Sequence, residues 1–190
     1  VRAGFTCPGQ AFTPRRMKNL FCDIFCGIDF GTSNSTIAIA DADGARLIAL
    51  EDQHVTLPSA VFCEVDDPTP LFGRAAIAAY VDGEDGRLLR GLKSTLGSQL
   101  IHEKTRIGNR AVSFKAILGQ FFHHLRNRLD LVAGAGIDRV VLGRPVHFLD
   151  NDPEGDAAAQ NVLENIARQA GFTDIAFQFE PIAAALHYEQ

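Results

Sequence analysis

GIDFGTSNSTIAIAD, Gly27 to Asp41, is the stretch that decides the fold. Ile24 to Phe30 is apolar apart from Asp29, and Ser35 to Asp41 alternates with Ile37 and Ile39 on one face, so the spacing predicts two strands. Between them, Gly31-Thr32-Ser33-Asn34 brings a glycine, two hydroxyls and an asparagine that tolerates left-handed dihedrals, the composition of a tight turn. Such turns can aim successive backbone N–H groups at an anion. Asp29 projects from an apolar strand beside the turn, where a carboxylate is costly to bury without a cation or donors. A carboxylate beside an anion cradle points to a metal ion held with phosphate. Taken alone, the segment fits an ordinary hairpin with an Asx-type cap equally well.

Downstream, Arg46 to Leu50 continues as a third strand and completes a meander. From Glu51 to Arg110 the chain is broken by Pro58, Pro68, Pro70 and a series of glycines, the texture of an inserted subdomain, with a strand over Pro58 to Phe62 and a short helix over Arg74 to Tyr80. Regularity returns at Val112. Phe114, Ile117, Leu118, Phe121, Leu125, Leu129 and Val132 recur at helical spacing, which predicts an amphipathic helix from Val112 to Val132. His123 and His124 lie within it, but adjacent helical residues point in different directions, so surface or packing roles are expected rather than chelation. Val140 to Leu142 reads as a buried strand. Asp156 to Ala170 reads as a helix burying Val162, Leu163, Ile166 and Ala170, with Gly171 as its stop. Ile175 to Phe179 is a strand, and Pro181 is suited to open the helix that follows. A meander followed by alternating helix and strand implies an α/β fold with a mixed sheet flanked by helices.

At 190 residues the chain can hold one sizeable core, and its 46% hydrophobic and 22% charged composition is that of a globular protein. A net charge of −5 and the lack of any basic cluster beyond Arg15-Arg16 argue against a general nucleic-acid surface. No apolar run approaches membrane-spanning length, and Asp23 interrupts the hydrophobic run near the N-terminus, so neither a membrane partner nor a signal peptide is expected. Cys7, Cys22, Cys26 and Cys63 form no disulfide framework, and no later Cys or His pair completes a zinc site with Cys22 and Cys26. Reduced thiols of a cytoplasmic protein are the expectation. Residues 1–23 are taken as a poorly ordered N-terminal appendage. The Gly86 to Ser94 segment grazes the P-loop pattern, but the residue between Gly91 and Lys93 breaks it, and the GAGIDR run lacks the third glycine of a dinucleotide fingerprint.

Three stretches match one family in order: GIDFGTSNS at Gly27 to Ser35, VVLGRPVHF at Val140 to Phe148, and FEPIAAALHYE at Phe179 to Glu189. Together they resemble the nucleotide-binding domain of DnaK-type (seventy-kilodalton heat-shock) chaperones, of the actin/hexokinase-like ATPase superfamily, with departures most like its shorter YegD-like branch. The resemblance covers residues 24–190 and implies the first of two lobes: a ribonuclease H-like mixed sheet (24–50 and 111–190), carrying a small inserted α+β subdomain (51–110). It implies ATP or ADP and magnesium as ligands. Asp29 would orient the hydrated magnesium ion, and Gly31, Thr32, Ser33 and Asn34 would line the phosphate turn. Glu180 would stand near the attacking water, and Lys93 would point at the γ-phosphate, with Lys104 as its rival. Pro145 would match a proline switch between sheet and lobe interface. Implied partners are a second lobe beyond Gln190, where the chain stops in mid-helix, and a client polypeptide or regulatory protein.

Phosphoryl transfer to water calls mainly for positioning and charge neutralisation, which two carboxylates, a lysine and an amide-lined turn supply. Each assignment has a plainer alternative: Glu180 as a helix-start acid, Lys93 as a surface lysine, Pro145 as a strand-ending proline. Two departures stand out. The acidic loop Leu149 to Asp156 is longer than the family's, and Gln160 falls where its interdomain-coupling arginine would be. They keep open a non-catalytic, nucleotide-gated interaction module. A small-molecule kinase of the superfamily is less well matched, since no acceptor-activating aspartate stands out, and so is a filament-forming actin-like relative, since FEPIAAALHYE resembles the chaperone version.

Overall fold

The computed structural model describes residues 24–188; the appendage at 1–23, and with it Cys7 and Cys22, lies outside the described residues. The chain is mixed α/β. Its main sheet runs in the order β11 (Asp174–Phe179), β10 (Arg139–Arg144), β1 (Phe25–Phe30), β2 (Asn34–Asp41), β3 (Gly44–Leu47), and β4 (Thr56–Pro58) pairs with β2 beyond the end of β3. β1 lies parallel to β10, and β10 to β11, while β2 is antiparallel to β1, β3 and β4, so the sheet is mixed.

Period-2 alternation makes the two faces of this sheet different in kind. Cys26, Ile28 and Phe30 of β1 point to the packed face with Ile37 and Ile39 of β2 and Val140 and Leu142 of β10. There they meet helix α2 (Phe114–Ala133), which contributes Ile117, Leu118, Phe121, Phe122, Leu125 and Leu129, and helix α3 (Pro153–Gln169), which contributes Ala159, Leu163 and Ile166. Phe30 contacts Phe121 and Phe122 with ring centroids 5.8 and 5.3 Å apart, the second edge-on, an arrangement that suits the ring quadrupoles. α2 begins where the Ser113 hydroxyl accepts from the Ala116 N–H. α3 begins three residues before the expected Asp156, because Asp152 caps the Gly155 N–H and Pro153 suits the first turn.

Other bounds also differ from expectation. β3 is Gly44–Leu47 rather than Arg46 to Leu50; Ile48 and Leu50 instead turn into the core. Val132 is half exposed, because the stripe on α2 steps from Leu129 to Ala133. The strand expected at Pro58 to Phe62 divides at Ser59 into β4 and β5 (Ala60–Glu64). β5 is the centre of a separate three-stranded sheet with β6 (Leu71–Phe72) and β7 (Gly86–Arg90), against which helix α1 (Gly73–Val81) packs Ala76 and Ala79. A hairpin of β8 (Lys104–Ile107) and β9 (Arg110–Ser113) turns at Gly108-Asn109 and leads into α2. Helix α4, Glu180–Tyr188, follows β11 directly. His123 is exposed, and His124 stacks on Phe72 with centroids 4.4 Å apart, a packing role. Cys26 and Cys63 are buried free thiols, and burial pushes Cys26 up to about 12, which keeps it protonated. Among the described residues no helix is long and apolar enough to cross a membrane.

Candidate functional site

Opposite the packed face, the sheet carries small and polar side chains: Gly27 and Asp29 of β1, Thr36 and Ala38 of β2, Val141 and Gly143 of β10, and Gln178 of β11. With Glu180, Ala183 and Ala184 of α4 they line a cleft of about 360 Å³. Asp29 and Glu180 therefore face the same crevice, one from the opening strand and one from the start of the last helix.

Glu180 reaches this position because Gly143 lies below it. A Cβ on residue 143 would come 3.3 Å from Glu180 Cγ, a tighter approach than side chains normally tolerate. Lys93 arrives from the far side. Gly91, in the left-handed region at φ 65°, turns the chain out of β7 into a short 3-10 turn, Leu92–Thr95, anchored by buried Leu92 and Thr95. Lys93 Nζ then donates to Glu180 Oε1 in an ion pair whose lysine is 11% exposed and whose glutamate is 34% exposed. Lys104, on the exposed edge of β8, makes no such contact.

The Asp29 carboxyl is held above its ordinary range, first because surrounding protein displaces water from it, then because Glu180 adds negative charge; Lys93 offsets part of this. The cleft thus concentrates two carboxylates against one ammonium, an imbalance that favours a cation. Both are hard oxygen donors of the kind magnesium takes, through its water shell or directly. Among the described residues no group of three or more His, Cys, Asp or Glu converges on one point, so an ion here would depend on water and on its own ligand for most of its coordination.

The Gly31–Asn34 turn closes the end of β1 two residues beyond Asp29. Gly31 N–H donates to Asn34 O at 3.0 Å, and a Cβ on Gly31 would fall 2.4 Å from that same oxygen, so only glycine fits. The turn is braced from behind by Ser59. Its N–H donates to Ser33 O (2.9 Å), and its hydroxyl donates to Gly31 O (2.7 Å). Since that hydroxyl has one proton, the Ser35 hydroxyl is the donor in the buried Ser35–Ser59 contact of 2.9 Å. With these carbonyls turned toward Ser59, the Thr32 and Ser33 N–H groups have no hydrogen-bond partner among the described residues, and both residues are solvent-exposed. Ser59 escaped the sequence reading because nothing local marks it: its partners are 24 to 28 residues away.

Pro145 lies outside the cleft, directly after β10, where its carbonyl accepts from Arg144 Nε at 3.0 Å. Asp29, Lys93 and Glu180 are thus brought together beside the Gly31–Asn34 turn, and Pro145 is not.

No known protein-family profile matches the chain. Similar curated proteins do exist. A chaperone protein HscA homolog of Rickettsia bellii is 26% identical over 192 residues, covering 95% of this chain and 30% of that protein. The HscA homolog of Rickettsia felis is 26% identical over 175 residues (87% and 26%), and the chaperone protein DnaK of Ureaplasma urealyticum is 26% identical over 166 residues (87% and 25%). The chain therefore spans under a third of the length of these relatives. Over nearly all of its own length, it is similar to chaperones of the HscA and DnaK kind.

Proposed function

We propose that this chain is the first lobe of a magnesium-dependent, ATP-hydrolysing protein of the DnaK chaperone type, built as a ribonuclease H-like core (24–50 and 111–190) with an inserted subdomain (51–110). The convergence of Asp29 and Glu180 in one cleft, with Lys93 paired to Glu180 and a turn with unpaired N–H groups beside them, carries this reading. The similarity to HscA and DnaK chaperones supports it.

The Thr32 and Ser33 N–H groups and hydroxyls bind the β- and γ-phosphate oxygens, with Gly31 and Asn34 setting the shape of the turn. Asp29 orients the hydrated magnesium ion. Magnesium, when bound, supplies neutralisation of charge on the phosphate oxygens. Lys93 exchanges its carboxylate partner for γ-phosphoryl oxygens, which leaves Glu180 Oε1 free to accept a proton from the attacking water. The water oxygen bonds to the γ-phosphorus as the bond to the β-phosphate oxygen breaks, and ADP and inorganic phosphate leave. Preorganised donors at the site of developing charge make the largest contribution to such a step. A second lobe closes over the nucleotide, and Pro145 relays its state outward to a client polypeptide or regulatory protein.

The test is phosphate release by the full-length protein with ATP and magnesium. Asp29→Asn and Glu180→Gln are expected to lower kcat by about 10²- to 10³-fold, the usual loss for an electrostatic group of this kind. Melting temperatures should stay within about 4 °C of wild type. Equal turnover in wild type and both variants would overturn the assignment. The Lys93–Glu180 pair, which occupies both reactive groups at once, favours one second reading: a nucleotide-gated module that binds ATP without turnover. Calorimetric binding without phosphate release would select it.

A further inference from the structure

Arg144 is the one charged side chain among the described residues that falls in the buried set, at 8% exposed. It stands at the end of β10, next to Gly143, on which Glu180 rests, and pairs in register with Phe179, the residue before Glu180. Its guanidinium bonds to four residues, two in the segment directly after β10 and two on α3. Nε donates to Pro145 O (3.0 Å), one terminal nitrogen donates to Val146 O (3.3 Å) and Asp156 Oδ2 (2.6 Å), and the other donates to Gln160 Oε1. Its Cζ lies over the Phe148 ring, 5.0 Å from the centroid, and over the Phe179 ring, 5.3 Å from the centroid. Asp156 completes the assembly by accepting the Phe148 N–H at 2.6 Å.

Burying a guanidinium is costly, and a well-packed apolar side chain usually stabilises a site of this volume as well or better. What the cation adds is a fixed fork and a flat face. Phe179 needs that face: it is 39% exposed, so core packing alone does not hold its ring. We infer that Arg144 is a positioning residue for Glu180, clamping Phe179 against α3 so that the carboxylate one residue later is held over Gly143 and within reach of Lys93. Asp156 and Gln160 on α3 act as its supports. The inference rests on the catalytic reading of Glu180 above.

The experiment compares Arg144→Lys, which keeps the charge beside Asp156 but loses the planar fork, with Phe179→Leu, which keeps Arg144 and removes the ring at a partly exposed position. Each is measured alone and combined with Glu180→Gln, in the full-length ATPase. Alone, each should lower kcat about tenfold with KM for ATP within about twofold, the signature of an interaction made in the transition state. In the Glu180→Gln background, neither should change kcat by more than about twofold, because a residue acting through the carboxylate has nothing left to act on. Unchanged kcat in Phe179→Leu, or losses that multiply with Glu180→Gln, would overturn the positioning role while leaving Glu180 catalytic. Should Arg144→Lys fail to fold, Phe179→Leu decides. Unimpaired turnover in Glu180→Gln itself would instead overturn the catalytic reading, and the inference with it.

Discussion

Along β1, residues that differ by one step live under opposite rules. Cys26, Ile28 and Phe30 are at most 2% exposed and meet rings and branched chains from α2 and α3. Gly27 and Asp29 face the cleft among alanine, glycine and threonine neighbours. The packed face gains stability by excluding water from large apolar groups. The open face forgoes that gain: small side chains leave room for a ligand, and charges are placed where they repel or are half-compensated. One strand can serve both ends because the pleat separates them.

The comparison breaks most sharply at Phe122, which is fully buried and edge-on to Phe30. Phe122→Ala should cost about 3–5 kcal/mol in denaturant unfolding, a large share of the stability of a domain this size. Any chain that stays folded should keep the nucleotide binding proposed above, because Phe122 belongs to the packed face and does not itself line the cleft. A loss below about 1 kcal/mol would mean that the packed face is not what holds the sheet.

Ser59 joins the two faces. Its buried hydroxyl pairs with Ser35 on the packed side and braces Gly31 of the Gly31–Asn34 turn on the other. Ser59→Ala leaves the Gly31 carbonyl and the Ser35 hydroxyl without this partner, at an expected cost of about 1–3 kcal/mol. Unlike Phe122→Ala, it should also weaken nucleotide binding in calorimetry, since the turn loses a support. Stability lost with affinity unchanged would show that the turn is rigid without it.

Ser59 also marks the limit of what one sequence makes legible. The hairpin from Gly27 to Asp41, the stripe on α2 and the β10 strand could be read because their signal is periodic and local. Asp29 could be singled out because it is a charge set in an apolar strand, whereas Glu180 and Lys93 were marked only by the resemblance to the chaperone family. The β8–β9 hairpin had a signal in Gly108-Asn109 between two short alternating runs, but it was submerged in a segment full of breaks. Ser59 and Arg144 had none. Their importance comes from partners 12 to 35 residues distant, and a serine after a proline or an arginine before one looks like ordinary punctuation. Likewise the division of the Pro58 to Phe62 run between two sheets depends on what each half pairs with, a tertiary matter that alternation cannot express.

The smallest expected effect tests the open face directly. Asp29 is raised above its ordinary value of 3.8 by desolvation and by Glu180, so the folded chain holds that proton more tightly than the unfolded chain does. For a carboxyl shifted upward, the ionised form costs the folded state at every pH above the raised value, and the cost disappears as pH falls through it. Asp29→Asn carries no charge at any pH and escapes that cost. Its melting temperature at pH 7 should therefore equal or exceed that of wild type, and any advantage should shrink as the pH is lowered through the raised pKa of Asp29. A melting temperature clearly below wild type at pH 7 would mean that Asp29 is a stabilising partner in a network, and the contrast between a face selected for packing and a face selected for chemistry would not hold at the residue where it matters most.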